Sequence, residues 1–145
     1  MSSAHTSATP FAFVLNKDTR ILAVDDDPIL REFASVYLST PTANVETAES
    51  AEAGLRKLEC GDFDIILVDL DMPGTDGFEM IRQIRAHPSL CDLPVVVVTG
   101  SEDILSIDRS YQAGANSFVT KPVNWRLLSY HLRYVLRAHT SPYES

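Results

Sequence analysis

The sequence predicts a doubly wound α/β domain, with a five-stranded parallel sheet and helices on both of its faces. Two patterns carry that prediction. Short runs of branched apolar residues recur along the chain, and each is followed by a segment whose apolar residues return with helical spacing. An uninterrupted apolar run suits a strand buried on both faces, and returning the chain to a parallel neighbour needs a crossover, usually a helix. A third observation is positional. Acidic, hydroxyl and amine side chains stand directly after the runs, at the carboxyl ends of strands, where open α/β sheets gather ligands.

The first strand covers Ile21 to Val24 and ends in Asp25, Asp26 and Asp27. Asp27 is suited to cap the next helix and Pro28 to open it. Ile29, Phe33 and Val36 then recur with helical spacing up to the turn residues Ser39, Thr40 and Pro41. A weak strand from Asn44 to Ala48 leads to a helix from Ala51 to Leu58, closed by Gly61. The third strand, Ile65 to Val68, is rich in branched residues and ends at Asp69. After the loop Asp71, Met72, Pro73, Gly74 comes a helix through Phe78, Met80, Ile81 and Ile84. Val95 to Val98 is the most apolar strand and ends in Thr99 and Gly100. Ile104 to Ala113 follows as a helix stopped by Gly114. The last strand, Ser117 to Thr120, leads to Lys121 and Pro122, and Leu128, Leu132 and Val135 mark the inner stripe of a final helix to about Ala138.

Composition narrows the function classes. The chain has 145 residues and 45% hydrophobic content, which fits one domain with one core. We expect residues 1–18 to be a flexible tail rich in Ser, Thr and Ala, 19–139 to be the domain and 140–145 a short C-terminal tail. A net charge of −8, from 20 acidic and 12 basic residues, disfavours binding to nucleic-acid backbones or anionic membranes. Two cysteines, Cys60 and Cys91, lack CxxC spacing and suggest neither a disulfide framework nor a zinc knuckle. The N-terminus lacks the pattern of an export signal, and no run of eighteen apolar residues occurs, so a cytoplasmic location is expected.

Asp25, Asp26, Asp69, Thr99 and Lys121 all follow predicted strands and converge on one sheet edge if the fold is right. Three carboxylates brought together repel one another, and such hard oxygen ligands suit Mg²⁺. The plainer alternative is that the aspartates cap a helix and meet solvent. One does suffice for a cap, and Asp69, arriving on a separate strand, is better explained if a cation collects the group. With Asp69 as nucleophile toward a phosphoryl group, Mg²⁺ and Lys121 neutralise charge on the equatorial oxygens. The Thr99 hydroxyl and backbone amides near Leu70 and Gly100 are then the hydrogen-bond donors. Taken singly, Lys121 reads as a solvated lysine and Thr99 as a strand terminus; only the set carries weight.

The segments ILAVDDDP, DIILVDLDMPGTDGFEMI, VVVVTG and AGANSFVTKPV resemble the diagnostic blocks of the response-regulator receiver family, over roughly residues 19 to 138. The resemblance implies the flavodoxin-like strand order 2-1-3-4-5. It implies Asp69 as phosphoacceptor, Asp25 and Asp26 as the acidic pair that holds Mg²⁺, Lys121 as the phosphoryl-binding lysine and Thr99 as the switch hydroxyl. Asp71 falls where the family's metal site uses a main-chain carbonyl, and its side chain is free to tune phosphoryl lifetime. Met72, Pro73, Gly74, Asp76 and Gly77 match the loop motif. Phe118 stands at the position of a switch aromatic, although core packing explains an aromatic there equally well. The implied donor is a histidine kinase or histidine phosphotransfer protein, and the implied output is a downstream protein target. The output face is the fourth helix, fifth strand and fifth helix, with homodimerisation on phosphorylation as one form of signalling. That face offers Ile104, Leu105 and Tyr111 with Arg126, Arg133 and Arg137. On this reading the chain is a signalling receiver that promotes only its own phosphorylation and dephosphorylation.

Two other readings compete. A haloacid-dehalogenase-like phosphatase also has an Asp nucleophile after a strand and a second Asp two residues later, which Asp69-Leu70-Asp71 imitates. Those enzymes place the nucleophile on the first strand and carry Thr or Val where Pro73 stands. A degenerate receiver that only binds proteins usually lacks one of the five site residues, and all five are present.

Overall fold

The computed structural model describes residues 18–72, 76–100 and 103–140. The expected N-terminal tail before Asp18, the loop residues Pro73 and Gly74, and residues 141–145 lie outside them. Five strand-helix units follow one another: β1 (Thr19–Val24), α1 (Pro28–Leu38), β2 (Ala43–Ala48), α2 (Ala51–Cys60), β3 (Ile65–Asp69), α3 (Gly77–Ala86), β4 (Val95–Thr99), α4 (Ile104–Ala113), β5 (Ser117–Thr120) and α5 (Trp125–Thr140). The sheet is parallel throughout, in the order β2-β1-β3-β4-β5. Both the doubly wound class and the strand order match the sequence reading.

Alternation along the strands divides the core into two layers. Leu22, Val24, Ile66, Val68, Val95 and Val97 pack toward the side of α2, α3 and α4. Ile21, Ala23, Ile65, Leu67, Val96 and Val98 pack toward α1 and α5, where Leu128 and Leu132 meet them. Strands apolar on both faces are therefore required by the sandwich of helices, which is why their sequences lack an alternating pattern.

Local signals fix the helix ends. The side chain of Asp27 accepts from the Ile29 amide, Ser50 from Ala53, Asp76 from Glu79 and Asp103 from Ser106. Helix α4 stops at Gly114, whose φ of 117° lies in the left-handed region that favours glycine. A Cβ there would also come within 2.7 Å of Arg85 Cγ. Arg85 is held by the carbonyls of Gly114, Cys91 and Leu93 and by Asn116 Oδ1.

One face differs from the sequence reading. Ile29, Phe33 and Val36, the residues whose spacing marked the first helix, are exposed at 61%, 41% and 59%, and Ala34 and Leu38 form its buried stripe. Helix α1 is apolar on more than one side, so periodicity establishes the helix without choosing the side that packs. The ring of Phe33 meets Tyr37 and Trp125 edge-on, and Tyr37 stacks on Trp125 with centroids 6.0 Å apart.

Candidate functional site

Register delivers the site. Val24 pairs with Val68, so Asp25 and Asp69 come next in line. Asp69 pairs with Val98, which sets Thr99 one step further, and Thr99 pairs with Thr120, which sets Lys121 one step beyond. Four neighbouring strands thus deposit their polar residues at one edge of the sheet.

The carboxylates of Asp25, Asp26 and Asp69 each offer an oxygen within 4.8 Å of the others. Asp69 is buried at the tip of β3, 2% exposed, while Asp26 faces solvent. Lys121 Nζ lies 3.3 Å from Asp69 Oδ1 and 3.8 Å from Asp25 Oδ2. Burial pushes the Asp25 carboxyl up to about 6, against the bond from the Asp27 amide; the neighbouring Asp69 carboxylate pushes the same way and Lys121 opposes it. Burial works against the charged form of Lys121, but the Asp69, Asp25 and Asp71 carboxylates outweigh it and hold its amine above the usual lysine range. A carboxylate whose charged form is disfavoured by burial and by a neighbouring carboxylate is a site that a divalent cation relieves, and three oxygen donors of this class fit Mg²⁺.

Asp71 follows in a tight turn. Its amide donates to Asp69 Oδ1 at 3.0 Å, and its own Oδ2 accepts from Thr99 Oγ1 at 3.2 Å and from the Gly100 amide at 3.3 Å. Thr99 is fully buried. Of the backbone amides near Leu70, that of Leu70 itself donates to the Val98 carbonyl at 3.3 Å, because the β3–β4 ladder continues one residue past Asp69. Gly77 packs against the base of the site, where a Cβ would lie 2.9 Å from the Asp69 carbonyl oxygen and 2.8 Å from Leu70 Cδ2. Phe118 is half-buried in β5, opposite Val97, and packs against the core layer under α2, α3 and α4.

Sequence reasoning missed two participants. The Arg31 guanidinium donates to the Asp25 carbonyl at 2.8 Å, fixing the loop that carries the acidic pair. Its only signal was position, one turn into a helix that begins beside the site. Trp125 lines an apolar crevice between α1 and α5 that also touches Asp25 and Asp69, and nothing in its spacing announced this. A wider groove, formed by the stretches 58–64 and 87–94, borders none of the five predicted site residues. Among the described residues, no helix is long and apolar enough to cross a membrane.

Residues 21–133 match the family described as the response regulator receiver domain. The chain belongs to that receiver family. The receiver is 35% identical over 117 residues to the transcriptional regulatory protein AfsQ1 of Streptomyces coelicolor, covering 81% of this chain and 51% of that protein. It is 33% identical over 118 residues to the heme response regulator HssR of Staphylococcus aureus, with the same coverage. The receiver therefore spans about half the length of the curated relatives it matches. Among solved structures it resembles the chemotaxis protein CheY4 of Vibrio cholerae, with a TM-score of 0.77, 29% identity, and coverage of 81% of this chain and 98% of that one. Receivers are signalling modules of two-component systems. A dehalogenase-like phosphatase is not favoured, because the candidate nucleophile stands on the third strand of a receiver sheet. A degenerate receiver is not favoured either, because Asp25, Asp26, Asp69, Thr99 and Lys121 meet at one edge.

Proposed function

We propose that this receiver is a phosphoacceptor switch, which takes a phosphoryl group on Asp69 from a histidine kinase or histidine phosphotransfer protein. The observation that carries the reading is the Asp69 carboxylate, 3.3 Å from the Lys121 ammonium and grouped with Asp25 and Asp26 at the sheet edge. An Asp69 oxygen attacks phosphorus in line. The bond from phosphorus to the donor imidazole nitrogen breaks, its electron pair stays on that nitrogen, and an acyl phosphate forms. Lys121 pairs with the transferred oxygens, and the Thr99 hydroxyl and Gly100 amide donate to them. Asp25, Asp26, Asp69 and the Asp71 main-chain carbonyl would hold Mg²⁺, which supplies neutralising charge to the phosphoryl oxygens when bound. A donor of this kind draws its phosphoryl group from ATP, which supports a cytoplasmic location.

The output is carried by the face of α4, β5 and α5. Thr99 moves toward the phosphoryl oxygens and Phe118 turns into the space behind it. Ile104 and Leu105, 67% and 71% exposed, then give a downstream protein, or a second copy of the domain, an apolar surface, and α5 adds Arg126, Arg133 and Arg137 to the same face. The test is to incubate wild type and Asp69→Asn with Mg²⁺ and acetyl phosphate or phosphoramidate and follow the intact mass. A gain of one phosphoryl group in wild type alone is expected. Equal labelling of both proteins, sustained release of phosphate, or no labelling at all counts against the reading.

A further inference from the structure

The Asp71 side chain makes contacts that phosphoryl transfer to Asp69 does not use. After β3 the chain turns back through the bond from the Asp71 amide to Asp69 Oδ1, and this carries the Asp71 carboxylate to the end of β4. There a single oxygen, Oδ2, accepts from the Thr99 hydroxyl at 3.2 Å and the Gly100 amide at 3.3 Å. These are the two donors that an anionic group on Asp69 would recruit. Bonds to an ionised acceptor are about twice as strong as bonds between neutral groups. Thr99 is fully buried, so its hydroxyl does not exchange this acceptor for bulk water, whereas Asp71 is exposed and its carboxylate returns to solvent at little cost once the donors leave. The asymmetry suits an acceptor that is held at rest and released on switching.

We propose that Asp71 is a built-in rival of the phosphoryl group: it holds the Thr99 hydroxyl and the Gly100 amide in the resting receiver, and switching requires the phosphoryl oxygens to win both donors from it. The inference rests on Asp69 being the phosphoacceptor and adds a restraint on the resting state. Asp71 is a positioning residue. It acts through Thr99 and Gly100 and sets the balance between resting and switched arrangements.

The experiment uses beryllium fluoride with Mg²⁺, a tetrahedral anion that mimics a phosphoryl group, titrated into wild type, Asp71→Asn and Asp71→Ala, each also in a Thr99→Val background. Removing a charged acceptor is expected to tighten binding about tenfold in Asp71→Ala. Asp71→Asn, which keeps an acceptor oxygen without its charge, falls between. In the Thr99→Val background the gain shrinks to about twofold, because the two residues are coupled. Before any ligand is added, the Gly100 amide proton resonance moves upfield in both Asp71 variants as its charged acceptor is lost, and the asparagine variant decides this point if alanine costs too much stability. Relief of charge repulsion alone would make the two Asp71 variants equal and their gain independent of Thr99. That pattern, an unmoved Gly100 resonance, or unchanged or weaker binding by Asp71→Ala overturns the inference. If wild type neither binds the mimic nor is labelled on Asp69, the phosphoacceptor reading falls and the rivalry falls with it. If wild type binds and is labelled but is indifferent to Asp71, only the rivalry falls.

Discussion

Asp25 gives the site a pH signature. Its carboxyl titrates at about 6 in the folded chain against 3.8 for an ordinary aspartate, so between those values the folded state holds a proton that the unfolded chain has released. Without metal, stability therefore falls as pH rises through that window and levels off above about 6. Mg²⁺ has the opposite preference, because it needs the carboxylate, and its affinity is expected to drop by up to about tenfold per unit below pH ~6. Mg²⁺ titrations at about pH 5 and about pH 7, followed by the fluorescence of Trp125, the single tryptophan, check this; equal affinities would show that the Asp25 carboxyl is not raised in the folded chain. Lys121 is the counterweight. Lys121→Met leaves Asp69 and Asp25 facing each other without a cation, and we expect a loss of about 1–2 kcal/mol in metal-free urea unfolding, discounted for the partial exposure of the pair. Added Mg²⁺ should restore part of that loss. At this scale the sequence was informative where a residue followed an apolar run, as Asp69, Thr99 and Lys121 do. It was silent where a side chain reaches away from its own position, as Arg31 does back to the loop before its helix and the Asp71 carboxylate does to the end of β4, because no spacing rule encodes where a flexible side chain ends.

The elements were legible to within a residue or two wherever a cap marks the boundary, as with Ser50 before α2 and Gly114 after α4. Where two apolar faces compete, as on α1, packing made the choice and Ile29, Phe33 and Val36 went outward. The stop at Gly114 is a backbone requirement. Gly114→Ala forces an L-residue into a left-handed φ with Arg85 in the way, and should cost about 1–3 kcal/mol of unfolding free energy in urea titrations. Gly61→Ala is the control, because Gly61 has an extended φ of −146° and a Cβ added there would meet nothing closer than 3.7 Å. A similar loss at both positions would show that space and φ are not what Gly114 supplies.

For the whole molecule, the crossovers that join five parallel strands produce a sheet whose carboxyl edge is a single polar platform, and that arrangement followed from the pattern of runs alone. Output is a property of the same scale, because α4 carries Ile104 and Leu105 exposed and α5 carries Arg126, Arg133 and Arg137 on a chain of net charge −8. Replacing Arg133 and Arg137 together with Glu reverses local charge on the proposed face. If activated receivers pair through it, the double variant should weaken pairing in beryllofluoride with Mg²⁺ by about tenfold or more in sedimentation experiments. Unchanged assembly would exclude these arginines from a dimer, and labelling of Asp69 should be unaffected either way.

The fixed register of β1, β3, β4 and β5 has a consequence for what descent with modification can alter. Branched apolar residues inside the strands are exchangeable for one another at modest expense, since each only fills volume. Strand length is not exchangeable. Removing one residue from β3 would draw Asp69 back by about 3.3 Å and turn its carboxylate to the opposite side of the sheet. Related chains are thus free to drift in the spelling of their strands while insertions and deletions gather in the loops between them.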